Sequence, residues 1–180
     1  MMADADRTVL YWDPSVFLAY LLDEEGRTDR CEYFLRAAEE QGSFVILTST
    51  LSFVEVVSLG RGEDSDARRV TEDERAEVES FFKREYLVFE NVNQFIAREA
   101  RELIWDYPEL RYKDATHLAT AIRRDVDIVH SFDDDFTDLD GEIGNPPLRI
   151  EEPSADRGPL WQQEEEAEVE AIDVDSARAE

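Results

Sequence analysis

Four acidic residues stand where apolar chain is expected. Asp13 follows directly on the apolar run Val9 to Trp12 and precedes Pro14. Glu55 interrupts L-S-F-V-E-V-V, Asp114 opens K-D-A-T-H-L-A-T-A beside that segment's apolar stripe, and Asp133 ends I-V-H-S-F with Asp135 two residues on. If the stretches leading to them belong to one parallel sheet, all four lie toward its carboxyl edge, where open sheets carry their ligand sites. Two carboxylates about 4 Å apart repel by roughly 4 kcal/mol at an effective dielectric near 20. Convergence therefore needs a shared proton or a divalent cation. Oxygen ligands without partnering Cys, and with few His, suit Mg²⁺ or Mn²⁺. Such an ion orients a water, lowers its pKa and stabilises charge developing on a phosphodiester. Taken alone, Asp13 reads first as a helix cap; the three later acids turn the reading toward chemistry.

The elements that must position these acids alternate. Val9 to Trp12 favours a strand. Asp13 caps and Pro14 opens a helix with Phe17, Leu18, Leu21 and Leu22 on one face. Thr28 starts a second helix carrying Cys31, Phe34, Leu35 and Ala38, stopped by Gly42. Phe44 to Leu47 is a second strand, and Thr50 is expected to cap a helix bearing Leu51, Val54 and Leu59. A polar loop, Gly60 to Asp66, leads to Thr71, which with Glu74 forms a capping box for a helix presenting Val78, Phe81 and Phe82. Tyr86 to Phe89 is a third strand. Asn93 caps a helix with Ile96, Ala100, Leu103 and Ile104 that must end before Pro108. Lys113 to Arg124 is helical, Asp127 to Ser131 a fourth strand, and Leu148 to Ile150 a short fifth. This order predicts an α/β/α sandwich around a mainly parallel five-stranded sheet. Residues 1–152 are expected to form one domain. Residues 153–180 are acidic and poor in apolar side chains, with Trp161 the one anchor, and read as a disordered tail.

Composition narrows the classes further. Nineteen basic against 45 acidic residues leave a formal net charge of -26. A generic nucleic-acid binder carries the opposite footprint. The acid is spread along the whole chain with a normal apolar content, which points to a halophilic cytoplasm where salt screens self-repulsion within about 3 Å at 1 M. The single Cys31 excludes an internal disulfide and a Cys-based zinc site, and its apolar surroundings make it core filler. No apolar run of membrane-spanning length is present.

The segments V-L-Y-W-D-P-S-V-F, T-L-S-F-V-E-V, K-D-A-T-H-L-A-T-A and I-V-H-S-F-D-D-D-F, in this order, resemble the PIN-domain nucleases and among them the VapC-like toxins. The resemblance covers about residues 8–150. It implies strand order 3-2-1-4-5 and divalent-metal-dependent cleavage of RNA. Asp13, Glu55, Asp114 and Asp133 fall on the acidic motif positions, Asp135 on an auxiliary acidic one, and Ser131 on the small hydroxyl position before the last acid. It also implies a small antitoxin that blocks the acidic pocket, and a homodimer. The aromatic residues Tyr33, Phe34, Phe81 and Phe82 exceed what one small core requires, and some are expected at an interface. His117, one turn after Asp114, reads equally as an RNA contact or as a satisfied structural histidine; His130, inside a strand, reads as structural. Arg111, Arg123 and Arg124 are candidates to guide an RNA backbone.

Other phosphate-handling folds fit less well. A haloacid-dehalogenase-type phosphatase wants a second acid where Ser15 stands. A receiver domain wants its aspartate at the end of the third strand, where Glu90 and Asn91 stand, and no P-loop motif occurs. A non-catalytic PIN-like module that binds RNA or protein is the alternative from a different class. The charge makes one expectation independent of function: stability to urea should rise from dilute buffer to molar KCl. Equal midpoints at both extremes would overturn the high-salt reading.

Overall fold

The computed structural model describes residues 7–57 and 69–154. Along the chain its elements are β1 (Thr8–Trp12), α1 (Pro14–Leu21), α2 (Thr28–Arg36) continued by a π-helical turn (Ala37–Gln41), β2 (Phe44–Ser49), α3 (Ser52–Glu55), α4 (Glu72–Phe81), β3 (Leu87–Glu90), α5 (Gln94–Asp106), α6 (Tyr112–Arg123), β4 (Ile128–His130), α7 (Asp134–Thr137) and β5 (Ile150–Glu151). Leu10, Tyr11 and Trp12 are fully buried, which requires a strand covered on both faces. Side-chain alternation sends Leu10 and Trp12 into one apolar layer and Tyr11 into the other. The sheet runs β3-β2-β1-β4-β5, the order the resemblance implied. Every pair is parallel, with Tyr11 opposite Leu47 on one side and Val129 on the other.

One layer packs Leu10, Trp12, Phe17, Cys31, Phe34 and Phe81. The other packs Tyr11, Leu47, Ile96, Leu103 and Leu118. Three of the expected caps form. Asp13 accepts from the backbone of Ser15 and Val16, Thr71 and Glu74 close a reciprocal box, and Asn93 accepts from Phe95 and Ile96; a cap of this kind contributes about 1 kcal/mol. Burial pushes the Cys31 thiol up to about 12, so it serves as apolar filler. His130 is buried, accepts from the Trp12 indole N–H at 3.2 Å, and is pushed down to about 3 by burial and then by Arg149 and Arg30. It is a neutral structural histidine.

Several boundaries differ from the expected ones. β3 is shifted by one residue, β4 is trimmed to three residues, and β5 begins at Ile150 because Leu148 closes a turn, its N–H donating to the Ile143 carbonyl. Thr50 does not cap α3: the Ser49 hydroxyl accepts from the Leu51 N–H, while the Thr50 hydroxyl is turned to the Val92 N–H. The helix is also short, one turn only; Leu59 and the polar loop lie outside the described residues, as do 155–180 of the expected tail. Of the four aromatics among which some were expected at an interface, two lie inside and two are partly buried. Phe34 and Phe81 belong to the core, and Tyr33 and Phe82 pack against it. The domain's last described stretch is tied back to α2 by Arg30, which donates to the Pro153 carbonyl and pairs with Glu152. Among the described residues no helix is long and apolar enough to cross a membrane.

Phe17 is the hub of the α1 packing, its ring lying 5.4 Å from Trp12, 5.9 Å from Phe81 and 5.4 Å from Phe82. Phe17→Ala should cost about 3–5 kcal/mol, read from urea unfolding in high salt. A loss under about 1 kcal/mol would mean that the layer collapses onto the gap.

Candidate active site

The strand order reverses at β1: β2 and β3 are added on one side, then β4 on the other. The crevice at such a switch point lies outside the carboxyl ends of the two strands. Asp13 and Ser131 occupy those ends, and the Asp13 N–H donates to the His130 carbonyl across them at 3.3 Å. Asp13 is 4 % exposed. Its Oδ1 accepts from the Ser15 N–H at 3.0 Å, from the Val16 N–H at 3.3 Å and from the Ser15 hydroxyl. Its Oδ2 accepts from the Ser131 hydroxyl at 3.0 Å. Each hydroxyl passes the connection on. Ser15 Oγ accepts from the Phe132 N–H at 2.9 Å, and Ser131 Oγ from the Asp133 N–H at 3.0 Å. Burial still wins over these bonds and pushes the Asp13 carboxyl up to about 6, against Ser15, His117 and Ser131.

Glu55 reaches the region from α3, and its two oxygens are divided. Oε2 meets His117 Nε2 at 2.7 Å, and Oε1 meets Lys113 Nζ at 3.1 Å. Burial raises the Glu55 carboxyl, but His117 and Lys113 together more than offset it and hold it below its usual range. His117 is buried, with 1 % exposure. Its Nδ1 lies 2.6 Å from the Tyr11 hydroxyl, which accepts from the Ser49 N–H at 3.2 Å.

Asp114, at the third position of α6, is half-buried. Its carboxyl is raised by burial and then by the charge of Asp133, with a smaller push from Glu55; His117 and Arg111 act against both. Asp133 is exposed and caps α7, its Oδ1 accepting from the Asp135 N–H at 3.0 Å. Asp135 lies exposed in the first turn of that helix. The run of three aspartates is thus a helical turn pinned by buried Phe132 and Phe136. Among the described residues no three His, Cys, Asp or Glu are placed to hold one ion together. The donor set itself is carboxylate and hydroxyl oxygen, which fits a hard divalent cation and not a soft one. Of the candidate guiding arginines, Arg123 faces Glu99 at 3.7 Å and Arg124 faces Glu90 at 3.0 Å. Arg111 alone acts on the acidic group, through Asp114.

Sequence reasoning missed Tyr11, Ser15 and Lys113 as members of the site. Ser15 had a signal, a hydroxyl two residues after a capping aspartate. Lys113 had one too, since it precedes Asp114 and is one of two lysines in the chain. Tyr11 had none, because its role depends on which strand lies beside β1.

The PIN domain profile matches residues 10–142, and the chain belongs to the PIN-domain family. Its fold is that of the VapC toxins. VapBC2 from Rickettsia felis, bound to a DNA fragment from its promoter, aligns with TM-score 0.57 at 14% identity over 82% of this chain and 100% of that one. VapC20 from Mycobacterium tuberculosis, a Sarcin-Ricin loop cleaving toxin, aligns with TM-score 0.51 at 19% identity over 72% and 93%. A toxin–antitoxin complex from Klebsiella pneumoniae aligns with TM-score 0.50 at 20% identity over 73% and 93%. No curated protein matches the chain.

The buried carboxyl has a measurable signature. Because Asp13 is raised from 3.8 to about 6, the folded chain holds a proton between these values that the unfolded chain releases. Its contribution is full below the unfolded pKa and is lost as pH rises through 6. Urea unfolding of metal-free protein from pH 4 to pH 7 (about that window) should show a shallower downward slope in Asp13→Asn than in the wild type. Parallel slopes would show that Asp13 ionises freely.

Proposed function

We propose that this PIN-domain protein is a divalent-metal-dependent endoribonuclease, the toxin of a toxin–antitoxin pair. The observation that carries the reading is a buried Asp13 that Ser131 bridges to the Asp133 backbone at the switch point of the sheet, with Asp114 near enough to Asp133 and Glu55 for their charges to push its carboxyl up. Asp13, Glu55, Asp114 and Asp133 would hold Mg²⁺ or Mn²⁺, with Asp135 auxiliary. When bound, such an ion lowers the pKa of a water and stabilises charge on a phosphodiester. The chain's own residues supply the rest. Ser15 and Ser131 fix the plane of the Asp13 carboxylate, His117 fixes Glu55, and Arg111 offers a cation at the rim. A cytoplasm rich in salt lets RNA approach a chain of net charge -26.

VapBC2 and the Klebsiella pneumoniae complex pair a toxin with an antitoxin, which supports an antitoxin partner here. A homodimer belongs to the same reading. One observation favours the non-catalytic module instead, namely that no three acids stand ready to hold an ion among the described residues. The two readings part in one assay. Purified protein in molar KCl should cleave a panel of structured RNAs only with Mg²⁺ or Mn²⁺ and stop on EDTA. Asp13→Asn keeps the cap and the shape, and should abolish cleavage while the chain stays folded. No cleavage with either metal, or full cleavage by the variant, would leave the binding module in its place.

A further inference from the structure

Glu55 has one oxygen that cannot be released and one that can. His117, on Oε2, is buried, and the carboxylate has no proton to give, so Nε2 carries one in either protonation state of the ring. Its far nitrogen is held by Tyr11, which is fixed in turn by the Ser49 backbone. The burial of Tyr11 drives its phenol far above the usual range, so it stays protonated. Oε1 is different. Its partner Lys113 stands 3.1 Å away on a side chain 43% exposed.

The residue type matters as much as the contact. Lys113 and Lys83 are the only lysines among 19 basic residues. A guanidinium at this place would grip both oxygens as a fork, whereas an ammonium is a hydrated point charge on a flexible stem and lets go readily. Lys113 also immediately precedes Asp114 in α6, a second acid of the group. The ammonium thus neutralises the acid group as arranged here.

We propose that Lys113 is a resident counter-ion that occupies Oε1 of Glu55 in the metal-free protein and yields it when a divalent cation binds. The inference rests on the metal-dependent reading above and adds a competitor encoded in the chain. In the resting state Lys113 offsets repulsion among Glu55, Asp114 and Asp133. On loading it swings outward and becomes a mobile positive charge at the mouth of the site, placed for a substrate phosphate.

The scarcity of lysine makes the test direct. Full-length chain carrying ¹³Cε-lysine gives two lysine resonances, with Lys83 as the internal control. Titration with Mg²⁺ at constant pH and in high KCl should move the Lys113 resonance, saturably, toward that of Lys83, while Lys83 stays. In parallel, Mn²⁺ binding followed by electron paramagnetic resonance should be about 2- to 5-fold tighter in Lys113→Gln, the worth of one partly exposed ion pair. If wild type binds Mn²⁺ but Lys113 does not move and Lys113→Gln binds no tighter, the counter-ion role is wrong and the metal reading stands. If wild type binds neither metal, both fall together.

Discussion

The molecule depends on keeping one carboxylate, that of Asp13, almost out of water at the end of its central strand. A buried anion is stable only when its lone pairs are met, and leaving one unmet costs several kcal/mol. Asp13 solves this locally with two backbone N–H groups at the start of α1 and one hydroxyl from the same turn. The fourth donor, Ser131, comes from the far end of the chain. The cap that begins α1 and the bridge that joins β1 to the segment after β4 are therefore the same side chain. Neither can be altered without the other.

The remaining acids meet the same electrostatic problem in other ways. Glu55 is half-enclosed and leans on a cation and an imidazole. Asp133 stays in solvent and turns one oxygen to a helix N-terminus, where the partial positive charge of the backbone favours it. Asp114 lies between, without enough help, and its carboxyl rises. The site thus grades from a dry, hydroxyl-bound end at Asp13 to a wet, open end at Asp133 and Asp135. A ligand with an ionic head and a hydrated body suits that gradient better than an apolar one does.

The parts of this arrangement legible in the sequence were those written in short-range patterns. Asp13-Pro14, Thr71-Glu74 and Asn93 each announce a helix start within a few residues, and each cap forms. The alternation of apolar runs and helical stripes is enough for the α/β class. The strand order is not contained in any such pattern; it came from the resemblance across four motifs, and the sheet agrees with it. What stayed hidden was everything that depends on lateral neighbours. Tyr11 reads as one more apolar strand residue until β2 brings the Ser49 N–H to its hydroxyl. His117 sits at the boundary of an apolar stripe, where periodicity cannot say whether it faces in or out. The start of α3 was misjudged because the Thr50 hydroxyl accepts from the Val92 N–H, which reaches across from beyond β3, and leaves the helix without a side-chain cap.

The Asp13–Ser131 bond joins residues 118 positions apart in the chain. Closing so long a loop is entropically unfavourable and follows local helix formation. A ribosome that has released only the first three strands and their helices has made a segment holding Asp13 and Glu55, but with no Ser131, Asp133 or β4 to complete the crevice. The same is true of a chain opened at the β1–β4 seam. Any chemistry that needs all four acids is thereby withheld until the last third of the chain has docked.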